Sequence, residues 1–175
     1  MDSCSSKGYA VSKKQQQPLP PYFLQVLTTQ YLIEGTVAGD TFLHFPALDT
    51  IGPPLLCVAS AQLQATGATD LANRACARFM VMGANAVALV PGVDMGQLPQ
   101  ADTWRIPKVP VRGVFCFGPY VVQGTLVLSG EGRINITMPM YDLRIASYVP
   151  GSRWDGLQAP FGLVNGRWLQ GYEPQ

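Results

Sequence analysis

The stretch "YLIEGTV", Tyr31 to Val37, decides how the chain is read, because "YVVQGTL", Tyr120 to Leu126, repeats its shape. Both run Tyr, two aliphatic residues, an acid or its amide, Gly, Thr and an aliphatic residue. Such β-branched and aromatic-rich runs favour strands, and a Gly inside one marks a bulge, a bend or a close backbone approach. Gly35 and Gly124 are therefore read as structural bends, the corners that strands of a small barrel must turn. The single polar position changes from Glu34 to Gln123. A catalytic carboxylate would not tolerate that change, so the repeated motif builds a fold.

Working outward, strand-like runs accumulate on both sides. "YFLQVLTT" precedes the first copy, and "TFLHF" and "LLCVASAQLQ" follow it. The second copy sits in "VRGVFCFGPYVVQGTLVL", followed by "RINITMPM", "LRIASYV" and "APFGLVNGRWLQGYEP". Aligning Pro54 with Pro160 puts Val58 on Val164, Leu63 on Leu169 and Gln64 on Gln170, a second shared signal in the same order. Between the copies, Thr69 or Asp70 can cap a helix, and Leu71, Ala75, Arg78 and Phe79 fit helical spacing. "NAVALVP" reads as a strand, and "DMGQLPQADTWRIPKVP" as a linker. Residues 1–21 are Gln-rich and then Pro-rich, which reads as an extended arm. The expected organisation is mainly β: an arm at 1–21, a first β unit at 22–67, a helix and linker at 68–110, and a second, related β unit at 111–175.

Composition bounds the function. The 175 residues are 47% hydrophobic and 13% charged, against roughly 25% charged in an average soluble domain. So few charges leave apolar surface that a partner is expected to bury. A net charge of +1 provides no bulk field to recruit nucleic acid or membrane. The charges are unevenly placed, however: residues 15–73 hold acids and no Lys or Arg, and the chain from Arg74 onward holds nine basic and six acidic residues, so the halves are mildly opposite in sign. That asymmetry favours docking of the halves or head-to-tail association of copies. Cys4, Cys57, Cys76 and Cys116 lie far apart, without metal-ligand spacing or a disulfide framework. Cys57 and Cys116, in apolar runs, are expected in the core. The start of the sequence lacks the apolar stretch of a signal peptide, and no apolar window is long enough to span a bilayer. A cytoplasmic location is expected.

Nothing in the sequence assembles a reaction. His44 is the only histidine, and "TFLHFP" gives it the polar face of a strand. No nucleophile elbow, cysteine signature or phosphate-cradling loop occurs. Asp40, Asp49, Asp142 and Asp155 lie in turn-like settings, where aspartate bonds its own backbone. Neither an enzyme, a metal site nor a cofactor is expected. Arg133, Tyr148, Arg153, Trp154, Arg167 and Trp168 form the candidate contact set. Aromatic residues beside arginines serve single-strand nucleic-acid binders and are equally the types enriched at protein interfaces. Interleaved acids and the absence of a strongly basic face favour protein contact.

"YVVQGTLVLSGEGRINITMPMYD" followed by "FGLVNGRWLQGYE" resembles the strand pattern of Sm-like (SH3-like) small β-barrels. Gly124 and Leu126 match that family's first block, and Glu131 and Asn135 keep its acid-to-Asn spacing. Val164, Asn165 and Gly166 stand where an aliphatic-Arg-Gly core belongs, so the key arginine is replaced by Asn165. The early copy shares only Gly35 and Val37. The pattern is also similar to a bacterial domain family of unknown function with a closing "VN-G/R-R" strand. The resemblance implies two tandem small barrels that associate through strand edges and sometimes bind RNA. The expected function is a non-catalytic structural or accessory subunit that self-associates or binds proteins through β edges, Trp/Arg loops and the arm. An Sm-like RNA-binding protein is the alternative.

Overall fold

The computed structural model describes residues 20–39, 55–67, 72–93, 109–128 and 137–175. The arm, apart from Pro20 and Pro21, lies outside the described residues. So do "TFLHF" with His44, Asp40 and Asp49, and the segment carrying Glu131, Arg133 and Asn135.

Strands β1 (Tyr22–Thr28) and β2 (Tyr31–Val37) form a hairpin, followed by β3 (Leu55–Ala65), β4 (Arg74–Met82) and β5 (Ala86–Pro91). The second set is β6 (Val109–Phe117), β7 (Tyr120–Leu128), β8 (Thr137–Ser147), β9 (Leu157–Asn165) and β10 (Leu169–Pro174). A 3-10 turn stands before the last strand of each set, Gly83–Asn85 and Gly166–Trp168. All ten strands join one antiparallel sheet in the order β10-β6-β7-β8-β9-β5-β1-β2-β3-β4. Two expectations change here. The sheet is open, with β10 and β4 as its edges, and is not closed into a barrel. Among the described residues there is no α-helix.

Within 68–110, the described part of the expected helix is strand β4, "NAVALVP" supplies β5 as expected, and Val109 and Pro110 open β6. Residues 68–71 and 94–108 of the expected helix and linker lie outside the described residues. β4 runs antiparallel to β3 from Leu55↔Met82 to Leu63↔Arg74, and β5 runs antiparallel to β1. Helical spacing over Ala75, Arg78 and Phe79 is overridden by a partner strand that satisfies the backbone hydrogen bonds on one side. The Pro54–Pro160 alignment also fails: Leu63 and Gln64 lie within β3, whereas Leu169 and Gln170 open β10.

The pairing itself repeats. In the first set, Tyr31↔Ala65 opens the β2·β3 ladder, which slips between Glu34 and Thr36. In the second, Tyr120↔Ser147 opens β7·β8, which slips between Gln123 and Thr125. The ladders of β1 with β5 and β6 with β10 slip at matching places, beside Thr28↔Ala86 and Phe117↔Leu169.

Alternation explains the core. β3 buries Leu56 and Val58, then Ala61 and Leu63; β8 buries Met138 and Met140, then Leu143 and Ile145. The change of parity follows one extra residue in each strand, Ser60 and Asp142, which leaves the later side chains on the inner face. Two apolar clusters result. One is built mainly from β1–β5, the other mainly from β6–β9 with Trp154. β5 is buried along its whole length and feeds both: Ala86 and Leu89 enter the first cluster, and Val87, Ala88 and Val90 the second. β9 does likewise through Phe161 and Leu163 on one side and Val164 on the other. Where they meet, Ala88 faces Val164 and Leu89 faces Leu163. Cys57, expected inside, points outward between Leu56 and Val58, and Cys116 is half-buried.

Candidate functional site

Gly35 and Gly124 each sit where the neighbouring strand carries its extra residue. Ser60 (φ 51°) and Asp142 (φ 52°) adopt the left-handed conformation in those bulges. A Cβ on Gly35 would lie 2.5 Å from the Ala59 carbonyl oxygen, and one on Gly124 would lie 2.6 Å from that of Tyr141. Neither gap admits a side chain, so the bulged strand's backbone passes against bare glycine. Glu34, next to Gly35, accepts a hydrogen bond from Gln25 Nε2 at 2.7 Å.

The candidate contact residues divide into two groups. Trp154 is only 8% exposed, and its ring meets Tyr120 edge-on with centroids 5.6 Å apart. Trp168 is half-buried and donates from Nε1 to the Ala84 carbonyl at 3.3 Å. Trp154 is therefore taken up in the second core cluster, and Trp168 reaches the 3-10 turn of the first strand set. Tyr148, Arg153 and Arg167 are exposed, with the Tyr148 hydroxyl donating to the Gly118 carbonyl. Arg133 lies outside the described residues.

The junction between the strand sets is polar as well as apolar, through Tyr120, Thr66, Ser152 and Asn165. The Tyr120 hydroxyl donates to the Thr28 carbonyl at 2.6 Å and meets Thr66 Oγ1 at 2.5 Å. Ser152 Oγ donates to the Thr66 carbonyl at 2.7 Å, and Asn165 Nδ2 to the Ala86 carbonyl at 3.0 Å. Burial pushes the Tyr120 phenol up to about 12, with the Thr66 hydrogen bond pulling the other way. Tyr120 is the shared first residue of both motifs and Asn165 stands in the second Sm-like block, but neither pattern points to these contacts. The second-set position of Tyr120 makes it the residue that reaches across.

A recess beside the β5–β9 contact is lined by Gly83, Val87, Thr137, Leu163 and Asn165. It has room for about one water molecule, which is too little for a substrate. No group of three His, Cys, Asp or Glu that could hold a metal occurs among the described residues, and none of their helices is long and apolar enough to cross a membrane.

The open edges are the remaining feature. β4 exposes Met80 (52%) and Met82 (47%), with Leu55 beside Met82 on β3; β10 exposes Tyr172 (57%) over Phe115. The β4 edge also carries Arg74, whose guanidinium lies over the rings of Tyr31 and Phe79 at 5.9 and 5.7 Å. Unpaired backbone groups in a strand edge lined by large apolar side chains form a template for another strand.

No protein-family model matches the chain, and comparisons with curated proteins and with solved structures find no match.

Proposed function

We propose that the chain is a non-catalytic structural or accessory subunit of a larger protein assembly, built as two tandem small β-barrel-like units. The support for the tandem is the repeated ladder: each set has its strands in the order last-first-second-third-fourth, with a 3-10 turn before the last strand and matching slips. Each set is a run of five paired strands, and the two share core across β5 and β9.

The observation that carries the assembly reading is the pair of open edges with exposed Met80, Met82 and Tyr172. The charges these edges carry, Arg74 and Arg78 on β4 and Glu173 on β10, oppose pairing of like edges and leave their apolar positions open to a partner strand. Tyr148, Arg153 and Arg167 supply a second, exposed contact set on the loops of the second unit, suited to a protein surface. Size-exclusion chromatography with light scattering tests the reading. A mass above that of one chain, or a stable complex with a purified partner, supports it. A monomer that binds no protein refutes it.

RNA binding is the second reading, resting on the Sm-like resemblance of "YVVQGTLVLSGEGRINITMPMYD" and "FGLVNGRWLQGYE" and on exposed Arg167. Its signature is salt-sensitive binding to oligo-U that is lost when Arg133 and Arg167 are changed together. Salt-insensitive or absent binding removes it.

A further inference from the structure

The chain contains one strand-edge junction already made, and its two unused edges are the same two surfaces over again. β9 stands in the second set where β4 stands in the first, as the fourth strand after the third. β10 stands in the second set where β5 stands in the first, as the last strand paired with the opening one. Inside the chain, β9 meets β5. The strands left over are β4 and β10.

We propose that copies of this chain join head to tail, with β4 of one pairing antiparallel to β10 of the next in the register of the internal β5–β9 junction. The proposal rests on the assembly reading above and names its partner as a second copy.

The register follows from overlaying Gly83–Asn85 on Gly166–Trp168. Ala88 then falls on Gly171 and Leu89 on Tyr172, while Met80 falls on Leu163 and Val81 on Val164. Internally, Ala88 faces Val164 and Leu89 faces Leu163. Between copies, Gly171 therefore faces Val81, and Tyr172 faces Met80. The burial fits this substitution of partners. Leu89 and Leu163 are covered by each other's strands, at 4% and 1% exposure, whereas their counterparts Tyr172 and Met80 are over half exposed.

Charge favours this pairing over two like edges meeting. β4 carries Arg74 and Arg78 with no acid, and β10 carries Glu173 with no base. An edge of β4 against its own copy would bring arginines together, which opposes pairing. Because the two surfaces differ, the contact is heterologous and continues from copy to copy, into a ring if the rotation closes and a filament otherwise.

Lysine on an edge strand blocks pairing, so Met80→Lys and Tyr172→Lys each disable one end and leave the other intact. With circular dichroism confirming native folding, wild type is expected above monomer mass and each variant alone is expected as a monomer. An equal mixture is expected to form a two-chain species that grows no further. As an independent readout, a mixture of Met80→Cys and Tyr172→Cys chains should form an 80–172 disulfide, mapped by mass spectrometry and absent from either variant alone. If either lysine variant alone still self-associates and no 80–172 cross-link forms, head-to-tail pairing is wrong while the assembly reading stands. A wild-type chain that is monomeric but binds another protein likewise overturns head-to-tail pairing and keeps the assembly reading. A monomer without any protein partner refutes both.

Discussion

Tyr120 does at the scale of one side chain what β5 and β9 do at the scale of strands: it ties the two sets together. Its hydroxyl serves Thr28 and Thr66 from the first set while its ring lies under Trp154 of the second. Tyr120→Phe keeps the ring and strands both oxygens, so a loss of about 1–3 kcal/mol is expected in urea unfolding. The same residue sets an alkaline limit. Its folded pKa, about 12, lies above the ordinary value of 10.0, so the unfolded chain releases this proton first as pH rises. The stabilisation is whole below pH 10 and is lost as pH climbs through about 12, amounting to about 2–3 kcal/mol. Unfolding midpoints measured across that alkaline interval should fall, and the Phe variant should fall less steeply. Gly35 and Gly124 give the other residue-scale expectation. Ala at either site drives a methyl into a backbone carbonyl, and each change should cost about 1–3 kcal/mol, read as a lower denaturation midpoint at unchanged slope. That these glycines mark a bend was legible in the repeated motif. The carbonyl that requires them was not, because Ala59 and Tyr141 come from strands whose register the motif does not contain.

At the scale of elements, strand content was legible wherever alternation was strong, as in β1, β2, β6 and β7. β4 was not. An edge strand has one paired side and a half-wet face, so "RACARFMVM" is free to carry residues that also fit a helix, and only its ladder with β3 decides the matter. β5 and β9 were legible as strands, but their pairing with each other was not. "AVALVP" is buried on both faces, and a short continuous apolar run has no period to read. Leu163 lies at the crossing of these two strands, so Leu163→Ala should cost about 2–5 kcal/mol. That loss, measured by chemical denaturation, should exceed the effect of truncating Leu157 at the outer end of the same strand.

For the whole molecule, shared core has a cooperative consequence. Leu27 and Leu32 of the first set enter the second cluster, and Phe161 and Leu163 of the second set enter the first. Neither set can lose its packing without exposing apolar surface in the other. Thermal unfolding followed by tryptophan fluorescence and by far-ultraviolet circular dichroism should therefore give one coincident transition. Ile33→Ala, deep in the first cluster, should lower the fluorescence midpoint even though Trp154 and Trp168 belong to the second set. Two separate transitions would mean that the sets fold as independent units. The division at 67 and 111 separates β4 and β5 from β3 and β1, the strands they pair with, because it followed matched letters where the ladders follow hydrogen bonds.

The sequence by itself determined the strand-rich composition, the duplicated Tyr-x-x-x-Gly-Thr corner, and the shortage of charge that leaves apolar edges. These are local properties, carried by side-chain type and by the absence of a Cβ. The tertiary structure alone decided that 74–82 is a strand, that Trp154 is buried and Trp168 bonds the chain's other half, and that the sheet stays open at β4 and β10. Each of those depends on which backbone meets which across long separations in sequence. Hydrogen-bond pairing and shared burial choose that meeting, and no single segment encodes it.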